Sequence, residues 1–200
     1  MSIKKSSKSR VRRSPEASRE NILAAAEGLL VDRGPQSLKL VDVAGAAGVA
    51  NATVLHHFGS IDGVQAALME RMVQQLVDTI LAVDFDHGDP AVARGKVLQT
   101  LFDAFETRGA ARLAAWLELT DESRRLATVR QAVQEVVARR MANSGLTRAR
   151  AENLILISVV LAMGVGLFGR TLSDLIGKPE DRARKLAVDM LQAHLSAMED

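Results

Sequence analysis

The sequence predicts an all-α protein, and three observations carry that expectation. Apolar residues recur at helical spacing along most of the chain, as in Ile22, Ala25, Ala26, Leu29 and Leu30, which repeat at i, i+3, i+4, i+7 and i+8. No segment sustains the two-residue alternation of a half-buried strand. Alanine, leucine, valine and arginine dominate while aromatics make up 3% and tyrosine is absent, a mixture that favours helix.

The elements follow in order. Ser14-Pro15 reads as a hydroxyl N-cap with proline at the first helical position, and Gly34-Pro35 stops the helix that they start. Two short helices follow within Leu40–Phe58. After the break at Gly59-Ser60, a long helix carries Leu68, Met72, Leu76 and Ile80 to about Val83. A polar loop runs from Asp84 to Pro90. Beyond it, five helices are expected over residues 91–108, 110–120, 122–142, 148–171 and 179–198. The first of these places Leu98, Leu101, Phe102 and Phe105 on one face, and the last repeats Leu186, Met190, Leu191, Leu195 and Met198.

Composition narrows the function classes. A chain of 200 residues has ample length to bury a core. Without cysteine it holds no disulfide or thiolate metal site, which suits a reducing cytoplasm. The first apolar stretch begins near Ile22 and is broken by Glu27, so it does not read as the core of a signal peptide. The net charge of +2 is uneven. Residues 1–64 carry nine cations against six acids, and six of the nine (Lys4, Lys5, Lys8, Arg10, Arg12 and Arg13) precede any acidic residue. Residues 1–15 therefore read as a basic disordered arm. It is either a solvated tail or a segment that tracks phosphates or enters a minor groove.

The stretch Leu40–Phe58 has the spacing of a helix-turn-helix. Ala44 is small enough for two helices to cross closely, and Gly48 accepts the positive φ of a tight turn. Val43, Val49, Val54 and Phe58 are expected to point inward. Asn51, Ala52, Thr53, Leu55, His56 and His57 are left on the outer face of the second helix, where a recognition helix meets the major groove. The spacing alone also fits an ordinary helical hairpin. Asn51 suits an adenine edge and the Thr53 methyl a thymine methyl, although Thr53 could instead help to cap the helix. Adjacent His56 and His57 point about 100° apart on a helix and lack a third ligand, so no metal site is expected.

From Glu16 to about Leu76 the chain resembles the tetracycline-repressor-like (TetR) family of transcription regulators. The resemblance rests on Ile22-Leu23-Ala24-Ala25-Ala26 leading to Gly34, then Val43-Ala44, Ala47-Gly48-Val49, and Thr53 through His57-Phe58. It implies a homodimer that binds a palindromic operator in double-stranded DNA as a repressor. It also implies release of the DNA when a small molecule enters the helical C-terminal domain. The matching domains are residues 16–76 for the DNA-binding headpiece (motif 39–58) and residues 77–200 for regulation and dimerisation. His57 and Lys39 occupy positions expected to meet phosphates. The chain departs from the family pattern at Lys39-Leu40, Ala50, Leu55 and Ile61, where the family favours Ser or Thr, Ser, Tyr and Lys. Phosphate contacts supply much of such a protein's affinity. The departures therefore keep open a rival reading, an all-helical interaction module whose helix-turn-helix no longer reads DNA.

In the C-terminal half, Leu154 to Phe168 runs 15 residues without charge. A membrane span needs about 20 apolar residues, and Arg148, Arg150, Glu152 and Arg170 bracket the run. No membrane partner is expected. A helix apolar all round is instead expected to be buried between subunits, with residues 148–171 and 179–198 of two copies forming a four-helix interface. Gly164-Val-Gly166-Leu-Phe-Gly169 spells a dinucleotide fingerprint, yet no strands surround it, so close helix packing is expected and no cofactor. Phe102, Phe105, Trp116, Leu119, Met141 and Met163 could line a cavity for an apolar or amphipathic effector, or could be plain core. No catalytic constellation is visible, and no enzyme is expected. Removing residues 1–13 separates the two readings of the arm. If the arm tracks phosphates, the truncated chain's DNA affinity falls less steeply with salt, by several counterions; an unchanged slope marks a solvated tail.

Overall fold

The computed structural model describes residues 14–84, 89–122, 131, 133–135, 138 and 147–196, and within them every regular element is helical. Helix α1 spans Pro15–Arg33. Ser14 caps it by accepting from the Ala17 N–H at 3.2 Å, as the Ser-Pro pair predicts. Ile22, Leu23, Ala26 and Leu30 are buried along one stripe, with Ala25 and Leu29 at its edge. Gly34 ends the helix at φ +85°, and a single 3₁₀ turn, Pro35–Ser37, leads into the next element. Ser37 anchors that turn by donating to the Gly34 carbonyl at 2.6 Å.

Helices α2 (Leu40–Ala47) and α3 (Asn51–Phe58) form the expected pair. Gly48 sits in the left-handed region, at φ +66° and ψ 35°. The Val49 N–H closes the turn onto the Ala44 carbonyl at 3.0 Å, the six-to-one bond of a Schellman ending. Val43 and Val54 are fully buried, Ala44 nearly so, and Val49 and Phe58 are half-buried against the same core. Helix α4 (Ile61–Leu81) starts from Ser60, whose hydroxyl accepts from the Gly63 N–H at 3.0 Å. Val64, Leu68 and Met72 bury it in the core, and it also packs against the next two helices in the chain.

The body contains α5 (Pro90–Glu106), α6 (Ala110–Leu119), α7 (Arg148–Leu175) and α8 (Arg182–Ser196). Asp89 caps α5 through the Ala91 N–H at 2.8 Å. Leu98, Leu101, Phe102 and Phe105 are all buried, as their spacing predicts. Arg184 of α8 fastens α5 by pairing with Asp103 at 2.7 Å and Glu106 at 3.4 Å. Of the helix expected over 122–142, Gln131, Val133, Gln134, Glu135 and Ala138 are helical, and most of the rest lies outside the described residues, as does the arm through Arg13.

Two boundaries differ from the sequence reading by three or four residues. Helix α7 continues past residue 171 to Leu175, because its stop is Gly177 at φ +65°. Helix α8 begins at Arg182, since Pro179–Asp181 form a turn closed by the Arg182 N–H on the Pro179 carbonyl at 2.9 Å. Within α7, Val165–Gly169 widens into a π-helical turn. It brings Gly166 so near the α5–α6 corner that a Cβ there would lie 2.7 Å from the Phe105 carbonyl oxygen and 2.8 Å from the Ala111 Cβ. The glycine-rich run therefore serves close packing, as expected, with Gly166 as its contact point.

The opposite face of α7 is uncovered. Leu156, Ile157, Val160, Phe168, Leu172 and Leu175 are exposed, and Gly164 has open space where a side chain would stand. Helix α7 has the length and apolarity of a membrane span, with 22% of its most apolar window buried. Arg170 interrupts it, however, and one side is packed into the body. Gly166→Val should lower stability by about 1–3 kcal/mol through overpacking, read as a fall in the urea midpoint. An unchanged midpoint would show that α7 is not tightly seated on the corner.

Candidate nucleic-acid interface

The outer face of α3 is assembled by what lies behind it. Val54 locks the helix into the core, so Asn51, Ala52, Leu55 and His56 are exposed while Thr53 and His57 are half-buried. These six residues share one short helix, as the sequence reading requires. Lys39 and Ala50, also expected at the interface, are exposed at the N-caps of α2 and α3. Because Ala50 is the cap, Thr53 is not. Neither helix has a side-chain cap, so the N–H groups of Leu40 and Val41 in α2 and of Asn51 and Ala52 in α3 are open to an outside acceptor such as a phosphate oxygen, while the Thr53 N–H is bonded to the Ala50 carbonyl at 2.9 Å.

Three positioning residues were not apparent from spacing. Asn21 of α1 donates from Nδ2 to the Ala47 carbonyl at 2.8 Å, tying off the last turn of α2 beside Gly48. Arg19, two residues nearer the start of α1, lies 4.4 Å from the centre of the Phe58 ring and donates to the His57 carbonyl at 3.3 Å. It steadies the end of α3 by a cation–π contact and a charge-assisted hydrogen bond. Gly63, in the first turn of α4, has the Phe58 carbonyl where a Cβ would stand, so only glycine lets α4 start this close to α3. Their partners lie in other helices, and sequence periodicity carries no signal for such pairs.

The departures from the family pattern have distinct structural settings. Leu55 is 41% exposed on α3; Val41, which is not among the departures, is likewise exposed, at 68%, on α2. Leu40 and Ile61 instead pack against the headpiece core. Both also line a cleft of about 540 Å³ between the headpiece and α6, with Pro35, Leu38, Lys39, Gln65, Trp116 and Thr120 around it.

The six residues expected to line an effector cavity are not brought together. Phe102 and Phe105 fill the body core, and Met163 packs against it. Trp116 lines the cleft instead. Leu119 is 85% exposed, because it lies two residues past inward-facing Leu117 and so about 200° around α6. Met141 lies outside the described residues.

Comparison with known proteins follows the same division. Residues 22–68 match the family model of bacterial regulatory proteins of the tetR family. No curated protein matches the chain in sequence. Solved structures match over nearly the whole chain. A transcriptional regulator from Rhodococcus sp. Rha1 is 21% identical, with a TM-score of 0.62 over 88% of this chain and 95% of that one. A TetR-family transcriptional regulator from Streptomyces coelicolor is 18% identical, with a TM-score of 0.61 over 90% and 98%. A TetR variant from Acinetobacter baumannii AYE, in complex with minocycline, is 19% identical, with a TM-score of 0.59 over 90% and 96%. At these identities the likeness establishes the fold. Asn21→Ala should cost about 1 kcal/mol of stability and weaken DNA binding although it leaves every outward residue of α3 in place. Equal urea midpoints for variant and parent would remove Asn21 from the account.

Proposed function

Its headpiece being that of the tetR family of bacterial regulatory proteins, we propose that this chain is a homodimeric, ligand-responsive regulator of transcription acting in the cytoplasm. It binds a palindromic operator in double-stranded DNA, represses there, and leaves when a small apolar or amphipathic molecule binds the helical body. The observation that carries this reading is the outer face of α3. Asn51, Ala52, Leu55 and His56 stand exposed on a helix whose inner face is locked by Val54 and whose first turn is uncapped. Such a helix can enter a major groove, direct its N-terminal N–H groups at phosphates and offer side chains to base edges.

The dimer is supported by the uncovered apolar face of α7, continued on α8 by exposed Leu186 and Met190. A second copy related by a two-fold axis would cover it and make a four-helix interface. Ligand response is supported by the shared fold of the TetR variant that holds minocycline. The rival reading, an interaction module that does not read DNA, draws on the exposed Val41 and Leu55 and on the scarcity of cations around α3.

Selection from a random duplex library with the full-length chain decides between them. The regulator reading expects a palindromic consensus, bound at low salt in preference to bulk DNA and more weakly as salt rises. Absence of any enriched sequence would overturn it, and an enriched site without two-fold symmetry would overturn the dimer.

A further inference from the structure

We propose that Glu27 is the positioning residue that sets the angle of the headpiece on the body. In this account the α5–α6 corner relays the placement of α7 to it. Glu27 belongs to α1, yet its carboxylate is shared between two arginines from elsewhere. Oε1 accepts from Arg108, in the α5–α6 corner, at 3.1 Å from Nε and 2.6 Å from Nη2. Oε2 pairs with Arg71 of α4. The site is sheltered, with the Arg71 side chain 12% exposed and that of Glu27 21%.

Both guanidiniums are held from further points. Arg71 also donates to the Leu23 carbonyl at 3.1 Å and pairs with Glu20 at 3.2 Å, while its Nε is buried without a partner. Arg108 also donates to Gln75 of α4. One carboxylate thus joins α1, α4 and the corner. Loss of its charge would leave sheltered Arg71 and the 38%-exposed Arg108 facing a neutral group, a penalty that falls mainly on the Arg71 side of the network.

The same corner is pressed from both sides. Gly109, at φ +81°, lies against α1 so closely that a Cβ would stand 3.3 Å from Leu30, and Arg112 donates to the Val31 carbonyl at 3.2 Å. From behind, Gly166 of α7 approaches the Phe105 carbonyl. A shift of α7 must therefore displace the corner, and the Glu27 pairing carries that displacement to α1. On the headpiece's other edge an open cleft lies between it and α6 beside Trp116. In a two-fold dimer this joint would fix the separation of the two recognition helices.

The inference rests on the proposed dimeric regulator, and its test uses the best duplex selected by the full-length chain. Inserting one base pair between the half-sites moves them apart by about 3.4 Å and turns them by about 35°. With rigid joints the parent should lose roughly tenfold or more in affinity. Glu27→Gln and Arg108→Gln should each reduce that penalty to about threefold or less, and the double variant should behave as either single. Glu20→Gln, which removes an exposed branch of the network, should keep the parental penalty. A parental penalty in Glu27→Gln, or no penalty in the parent, overturns the proposal. If no duplex is bound, the regulator reading fails by itself and amide exchange on the free chain judges the clamp. Severalfold faster exchange in Glu27→Gln, confined to residues 105–112 and the second half of α1, supports it; unchanged exchange there overturns it.

Discussion

The Phe105 carbonyl and Gly166 lie so close that nothing larger than hydrogen fits between their helices. This contact orients the body. It requires glycine at 166, within the widened turn of α7, because a helix carrying a side chain there could not approach the corner. Seating α7 this way commits one side to α5 and α6 and turns Leu156, Val160 and Leu172 outward. It also backs the corner from which Gly109, Arg108 and Arg112 reach α1. A single close approach thus links the outward apolar face to the placement of the headpiece.

The headpiece obeys a different constraint. Its helices α2 and α3 are eight residues each, too short to persist alone, so tertiary packing must hold them. Val43 and Val54 provide the burial, Gly48 provides the turn, and Asn21 and Arg19 secure the two ends from α1. The result is a rigid outer face that owes little to its own residues. Those residues are therefore free to differ between proteins that share the scaffold, and their chemistry, not the fold, decides what the face binds.

Much of this was legible in the sequence because it depends on local rules. Ser14-Pro15, Gly34, Gly48 and Ser60 mark helix ends through caps and positive φ, and the buried stripes of α1 and α5 follow their spacing. What escaped is non-local. Glu27 meets Arg108 across 81 positions and Arg71 across 44, separations at which no periodicity speaks. Apolarity also misled where direction around the helix decides. Leu119 is as apolar as Leu117 yet stands outside, and Phe102 and Phe105 read equally well as pocket wall or core until the packing was known. The end of α7 moved to Leu175 because Gly177, not the fading of the apolar pattern, stops it.

In the proposed regulator, two copies of this headpiece address two equivalent stretches of one duplex through α3. Hydroxyl-radical footprinting of the full-length chain on its selected duplex reads this out. Two protected segments related by two-fold symmetry are expected, their centres an integral number of helical turns apart. A single protected segment, or protection without symmetry, would contradict that arrangement.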